Sequence, residues 1–246
     1  MTFRNTIDFL ASCIFTKRCR FCNRVCDVRD EICSRCADDI HRIEGEICNN
    51  CGCNKTLFNH KERKHFFESI CAPYYYEGAP QKAVIHLKHK INPNILTRLA
   101  EDMSECTKER YKELEFDYIT YVPMHQSDIK QRGYNQAQAL AEEISKNLSI
   151  PCYPLINKDY STKSQHILRG VYRTGNLMGA LSFNKKAGID VSDTRILIVD
   201  DIKTTGATLD ECAKALLYEG CAEVRCVTAC IGTKNKIPED DKKEKE

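Results

Sequence analysis

The segment that most constrains the fold is a short apolar run followed directly by two carboxylates and a threonine-rich loop. Residues 196–199 are all apolar, which predicts a short buried strand. Asp200 and Asp201 come where this strand is expected to end, and residues 204–208 then lead into an expected helix. This order is typical of an α/β protein that binds its ligand at the carboxyl ends of parallel strands.

The residue types after the strand suit two parts of one ligand. Gly206 lets the backbone approach an anion, and the amides at the start of the next helix favour negative charge. The acidic pair repels phosphate but can accept hydrogen bonds from two sugar hydroxyls, directly or through a hydrated Mg²⁺. A phosphate beside a vicinal diol describes a ribose 5-phosphate. The expected phosphate-binding residues are Thr204, Thr205, Gly206, Ala207 and Thr208.

A second pattern is the concentration of cysteine near the start of the chain. Nine of the sixteen cysteines lie between Cys13 and Cys53, and no export signal indicates an oxidising compartment. Two C-x-x-C pairs on facing turns would offer four thiolates in a tetrahedron, which predicts a structural Zn²⁺ site. The expected ligands are Cys19, Cys22, Cys33 and Cys36.

A third pair, Cys48 and Cys51, leaves two alternatives open. It binds a second zinc, or it replaces the first pair as the partner of Cys33 and Cys36. The other partners for a second zinc are Cys53, His60, His65 and Cys71, although both histidines are expected to be solvated.

Composition divides the chain of 246 residues into three regions. Residues 17–70 are rich in cysteine and charge, residues 71–232 alternate strand-like and helix-like segments, and residues 233–246 form a charged, disordered tail. The net charge of +2 restricts any nucleic-acid contact to a local patch. No apolar run is long enough for a membrane span, so we expect a cytoplasmic protein. The apolar residues within 7–15 leave open a peripheral position at the inner face of the membrane.

Alternation of strands and helices in the second region predicts a parallel sheet with helices on both faces. A strand and turn are expected at 71–78 and further strands at 117–123, 196–199 and 223–231. The helices are expected at 80–89, 95–114, 136–148 and 209–219.

The run from Ile196 to Leu209 resembles the 5-phosphoribosyl 1-diphosphate (PRPP) motif of type I phosphoribosyltransferases. Together with the cysteine pairs, it makes the chain similar to the competence protein F (ComFC-like) family. Residues 74–90, 122–137 and 165–176 also resemble that family's sequence blocks. The resemblance implies a type I phosphoribosyltransferase-like parallel sheet flanked by helices, with a small N-terminal zinc-ribbon module.

The resemblance also implies roles for individual residues. Lys88, Arg132, Gly133 and Arg173 would bind phosphates, and Asp200, Asp201 and Arg132 would form the catalytic set with Mg²⁺. The polar segment between 157 and 182 would form a mobile hood. Asn135 and Gln136 would orient the loop or meet the ligand. Asp128 departs from the family pattern, which usually carries a basic residue there, and this lowers the expected affinity for anions.

Two functions follow from these observations. In the first, the chain is a competence factor that binds PRPP or a related ribose 5-phosphate and handles single-stranded DNA during uptake. Its partners would be a DNA-import helicase or a recombination mediator, and its DNA contacts would include Arg132 and the basic residues of the cysteine module, Arg18, Arg20, Arg24 and Arg35. In the second, it is a metabolic phosphoribosyltransferase with an unidentified acceptor. The sequence leaves open whether PRPP is turned over or only bound.

Overall fold

The computed structural model describes residues 17–27, 29–58, 64–158 and 181–233. Its centre is a five-stranded parallel sheet in which β7 (Glu223–Ile231) and β6 (Arg195–Lys203) are the inner strands. β3 (Tyr118–Tyr121) pairs with β6 on one side. On the other side, β1 (Ser69–Cys71) and β2 (Tyr74–Tyr75) follow each other along β7. A short antiparallel pair, β4 (Ile156–Lys158) and β5 (Leu181–Phe183), lies beside the sheet.

Helices cover both faces of the sheet, as the sequence predicts. On one side are α2 (Gly78–His89), α3 (Pro93–Arg110) and α5 (Gln136–Leu148), and on the other is α6 (Ala207–Tyr218). The short helices α1 (Ser34–Ala37) and α4 (Gln126–Arg132) lie in connecting segments. Among the described helices, none combines the length and the apolar character that a membrane crossing requires.

The two faces of β6 contact different parts of the core. Leu197 and Val199 pack with the helices of the first face, whereas Ile196 and Ile198 pack with α6 and the β4–β5 pair. All four side chains are fully buried. This is the pattern expected when a parallel strand is covered on both sides, since successive side chains point to opposite faces.

Several boundaries differ from the predicted ones, and each difference has a local cause. β6 continues through the acidic pair to Lys203, because β7 provides backbone partners along its whole length. In place of the strand and turn expected at 71–78, the chain forms two short strands separated at Ala72 and Pro73, where proline has no N–H for the ladder. α3 begins at Pro93 because the Asn92 side chain accepts hydrogen bonds from the first-turn amides.

The cysteine-rich segment shares the core of the sheet domain. Cys19, Phe21 and Cys36 belong to the same buried cluster as the helices of the first face. The Phe21 ring packs edge-on against Tyr74, with 5.7 Å between ring centroids. The cysteine-rich segment also lies close to the backbone at the start of α2. A Cβ added to Gly78 would lie 2.1 Å from the Asp39 carbonyl oxygen. Only glycine fits there, the more so because its φ is +59°.

A buried ionic network holds the first helix layer against this segment. Asp102, which is 4% exposed, accepts hydrogen bonds from the Tyr74 hydroxyl at 2.5 Å and from Arg98 Nε at 2.8 Å. Arg42, from the cysteine-rich segment, lies over the Tyr74 ring at 5.2 Å. Burial raises the pKa of Asp102, whereas these partners lower it.

We expect Asp102→Ala to destabilise the protein by about 3–5 kcal/mol, because it leaves the half-buried Arg98 guanidinium and the buried Tyr74 hydroxyl without their shared acceptor. The neighbouring Glu101, paired with Arg20 at 2.7 Å and 45% exposed, provides the matched control. Glu101→Ala should cost no more than about 1 kcal/mol. Urea denaturation of both variants measures the difference, and equal losses would contradict a special role for the buried network.

Candidate functional site

The acidic pair lies on β6 at the carboxyl edge of the sheet. The Asp201 amide donates to Asp200 Oδ1 at 2.8 Å, which holds the first carboxylate in place. Burial, followed by repulsion from Asp201, holds the pKa of Asp200 well above its usual range. Lys88 Nζ lies 3.5 Å from Asp201 Oδ2 and opposes this effect. Two such carboxylates favour a ligand that brings positive charge or hydroxyl donors.

The pair opens into a cleft of about 260 Å³, here called the carboxyl-edge cleft. Its walls come from α2, β4, β6, the start of α6 and the segment after β3, so they are distant in sequence. Seven of the residues predicted from sequence to meet the ligand or orient its loop line it together: Lys88, Arg132, Asn135, Gln136, Asp200, Asp201 and Thr208.

The rest of the threonine loop immediately precedes Thr208 along the chain. Thr204 and Thr205 are exposed, and Thr205 Oγ1 accepts a hydrogen bond from the Ala207 amide at 3.3 Å. Gly206 has a φ of +80° and forms the N-cap of α6. The loop therefore presents hydroxyls and a helix N-terminus next to the cleft, although Thr208 is its only member among the described residues that line the cleft.

His65 packs against the threonine loop and the first turn of α6. The expectation that this histidine is solvated was wrong. Its side chain is 5% exposed and its Nδ1 lies 3.3 Å from Asp210 Oδ1, in the first turn of α6. Its ring stacks on Phe67 with 4.4 Å between centroids. A Cβ added to Gly206 would lie 3.5 Å from His65 Cε1, so the histidine packs closely under the loop.

The segment after β3 forms the opposite wall. Arg132 ends α4, and Gly133 follows it as the C-cap with a φ of +88°. Both are exposed, and Asp128 lies in the same wall, where its charge opposes anion binding. Arg173 and most of the predicted hood lie outside the described residues.

The sequence reasoning did not identify Lys158, which also lines the cleft. It is the last residue of β4 and lies at the start of the segment predicted as the hood. That position could have identified Lys158 from the sequence, since a cation at the base of a hood would face the reacting centre. Its presence brings the basic residues in the cleft wall to three, with Lys88 and Arg132.

The first two cysteine pairs come together as a candidate metal centre. The Sγ atoms of Cys19, Cys22, Cys33 and Cys36 lie within 4.8 Å of one another, so they could hold a metal ion. Cys22 Sγ and Cys33 Sγ are 3.8 Å apart. Tetrahedral zinc with Zn–S bonds of about 2.3 Å requires about that separation. The donor set therefore suits Zn²⁺ with no open coordination position.

Backbone amides stabilise a thiolate in this centre, and a thiolate favours cation binding. Burial alone would raise the pKa of Cys19, but amide hydrogen bonds from Cys22 and Cys33 lower it to about 7. Burial and neighbouring thiols raise the pKa of Cys36. The Cys19 thiolate is thus stabilised without metal, whereas burial raises the pKa of Cys22 and Cys36, so a cation would favour their deprotonation.

The third cysteine pair is used differently. Among the residues that the structure describes, the four-thiol group is the sole metal-capable cluster, so the pairing of Cys33 and Cys36 with Cys48 and Cys51 was wrong. Instead, the turn carrying Cys51 packs over the end of β6, where the buried Lys203 ammonium donates to the Cys51 carbonyl at 2.9 Å.

Comparison with known proteins agrees with this architecture. Residues 129–246 match the phosphoribosyl transferase domain family, and this match includes the acidic pair and the threonine loop. Competence protein ComFC of Bacillus subtilis (strain 168) is 25% identical over 201 residues, which cover 78% of this chain and 80% of that protein. The chain is therefore similar to ComFC over most of its length, and its second half matches the phosphoribosyl transferase domain.

Other matches cover less of the molecule. DNA utilization protein YhgH of Escherichia coli (strain K12) is 32% identical over 115 residues, 46% of this chain, and the alignment spans about half (49%) of that relative. Among solved structures, purine phosphoribosyltransferase from Pyrococcus horikoshii Ot3 aligns with a TM-score of 0.37 and 19% identity, covering 58% of this chain and 77% of that one.

We expect the purified chain to hold one zinc ion that Cys36→Ser removes, because three thiolates leave a structural site incomplete. The protein should then unfold at a lower temperature, as metal binding and folding are coupled. Metal analysis by mass spectrometry and a thermal-shift assay measure the two effects.

Cys26→Ser is the matched control, since Cys26 lies between the two pairs but directs its thiol to the Asp30 carbonyl at 3.3 Å. This variant should keep its zinc. Equal zinc content in Cys36→Ser and the parent chain would exclude the four-thiol site.

Proposed function

We propose that this chain binds PRPP with Mg²⁺ in the carboxyl-edge cleft, as part of a cytoplasmic role in the uptake or use of DNA. The observation that carries the proposal is that one cleft joins Asp200 and Asp201 to Lys88, Arg132 and Thr208. Each group is suited to bind a different part of PRPP. The names of the relatives, a competence protein and a DNA utilization protein, support the DNA role.

In this proposal the acidic pair accepts hydrogen bonds from the two ribose hydroxyls, directly or through hydrated Mg²⁺. The threonine loop and the N-terminus of α6 bind the 5-phosphate, since both supply donors and the helix end favours negative charge. Lys88 and Arg132 face the diphosphate, with Arg173 as a further contact from the hood. Mg²⁺ would be held by carboxylate and diphosphate oxygens and would neutralise the charge of the leaving group.

The double variant Asp200→Ala/Asp201→Ala should lose PRPP affinity by on the order of 100-fold or more, about 2.7 kcal/mol, because both ribose contacts and the cation ligands are removed. Isothermal titration with PRPP in Mg²⁺ measures this loss.

Asp128→Asn is the control from the same cleft and should bind PRPP as well as or better than the parent chain, since it removes a charge that repels the ligand. Unchanged affinity in the double variant would exclude the proposed ribose site.

The three basic residues in the cleft wall favour a second candidate function, the transfer of a phosphoribosyl group to an acceptor. Negative charge builds on the departing diphosphate in such a reaction, and Lys88, Arg132 and Lys158 lie where they could stabilise it. None of the described residues in the cleft identifies the acceptor. Following the PRPP titration with an assay for released diphosphate separates transfer from binding.

For single-stranded DNA we propose a second cleft of about 350 Å³ between the cysteine-rich segment and α2, here called the module cleft. Arg24 and Arg35 line it with two histidines and with Lys82, whose ammonium pairs with Asp39 at 2.7 Å, and no carboxylate is among its described lining residues. Ile85, which is 41% exposed, adds apolar surface. Proteins bind single strands with cations placed along the phosphate backbone and with planar groups, such as guanidinium, that stack on the bases.

Two other arginines predicted to contact DNA are placed differently. Arg20 is 18% exposed and bridges Glu31 at 3.2 Å and Glu101 at 2.7 Å. Its charge is therefore already compensated, and we omit it from the proposed DNA surface. Arg18 donates to the Asn23 carbonyl at 3.1 Å and does not line the module cleft. A helicase or recombination mediator as partner stays a prediction.

Arg24→Ala/Arg35→Ala should weaken the binding of a short oligodeoxynucleotide and reduce its salt dependence. Two lost phosphate contacts lower the slope of log K against log salt by about 1.4. Fluorescence anisotropy over a salt series measures both quantities.

Arg29→Ala is the matched control, because Arg29 belongs to the same segment, is 90% exposed and pairs with Asp27 instead of lining the cleft. It should behave like the parent chain. If the parent chain binds no oligonucleotide even at low salt, the DNA proposal fails.

A further inference from the structure

Asp210, in the first turn of α6, is turned toward the cysteine-rich segment. Its Oδ1 accepts a hydrogen bond from the Phe66 amide at 2.6 Å and lies 3.3 Å from His65 Nδ1. The Asp210 side chain is 23% exposed, and the two residues that meet it are 144 and 145 residues away along the chain. Hydrogen bonds to a carboxylate are among the stronger ones in proteins, so this contact joins the start of α6 to the segment before β1.

The same segment fills the space behind the threonine loop. A Cβ added to Gly206 would lie 3.5 Å from His65 Cε1 and 3.8 Å from Phe67 Cζ. Phe67 is 3% exposed and stacks on the His65 ring, so the two rings form one packed surface. The Asp210 amide donates to the Gly206 carbonyl at 2.9 Å. Residue 210 is therefore joined to the loop by its backbone and to the segment by its side chain.

The loop depends on such support because its conformation is set at a glycine. Gly206 has a φ of +80°, and glycine populates other conformations as easily, so the turn does not fix itself. The free amides at the start of α6 bind a phosphate only while they point to one place. Asp210 is not among the described residues that line the carboxyl-edge cleft, so any effect it has on a ligand passes through the loop.

We propose that Asp210 is a positioning residue that holds the threonine loop in the conformation that binds the 5-phosphate, and that His65 and Phe66 complete this support. The inference rests on the proposed function, because it concerns the loop assigned to the 5-phosphate. It makes the cysteine-rich segment a working part of the ligand site. The charge of Asp210 by itself predicts the opposite effect, since a carboxylate in the first turn of α6 repels a phosphate.

The test is Asp210→Ala, which removes the acceptor of both contacts. Titrations in Mg²⁺ with PRPP and with ribose 5-phosphate should show about a tenfold loss of affinity. Inorganic diphosphate has no 5-phosphate and should bind as it does to the parent chain. Asp210→Asn keeps an oxygen that accepts from the Phe66 amide, and it should restore most of the lost affinity.

His65→Ala is a second variant, which removes the ring behind Gly206 and leaves Asp210 in place. It should show the same selective loss for the two ligands that carry a 5-phosphate. If Asp210→Ala does not fold, the outcomes are decided on His65→Ala.

Glu211→Ala is the matched control, since it removes the next carboxylate on α6 and leaves the contacts of Asp210 in place. It should bind all three ligands at least as tightly as the parent chain. Unchanged or tighter binding of ribose 5-phosphate to Asp210→Ala, or an equal loss for diphosphate, would overturn the positioning role while leaving the proposed function intact. Failure of the parent chain to bind PRPP would overturn both.

Discussion

Burial of β6 on both faces is the constraint on which the rest of the structure depends. Its side chains alternate between two separate halves of the core, and β7 and β3 pair with it on either side. A shift by one residue would exchange the two faces, so the register of β6 is strongly determined. Asp200 and Asp201 follow directly on this buried run. The core therefore holds two adjacent carboxylates, one with a strongly raised pKa, at a fixed place on the sheet edge.

The cysteine-rich segment is joined to this site through shared packing. It has few apolar side chains of its own, and Phe21 and two cysteines complete the core of the sheet domain. Farther along the segment, the Cys51 carbonyl accepts a hydrogen bond from the ammonium group of Lys203, which is three residues after Asp200. His65 packs under Gly206. The segment thus supports the threonine loop and the acidic strand from behind. A metal ion on the four thiolates would stabilise this support, since it would order the part of the segment that has the smallest core.

Much of the fold was predictable because its signals are local. Helix α5 has the predicted bounds, as its apolar residues recur at helical spacing and Asn135 caps its start. Errors arose where a distant partner decided the outcome. β6 runs beyond the acidic pair because β7 continues beside it. The His65 side chain is buried because Asp210, which is distant in sequence, meets it in the folded chain.

By itself the sequence determined the order of strand, acidic pair, threonine loop and helix, and the two cysteine pairs with the spacing of a metal site. These features depend on residues close together along the chain, where backbone geometry limits the possible arrangements. Only the tertiary structure decided that Lys158 lines the same cleft as the acidic pair. Lys158 ends β4 and the pair lies on β6, and their meeting depends on how the elements pack around a parallel sheet, which no local pattern of residue types specifies.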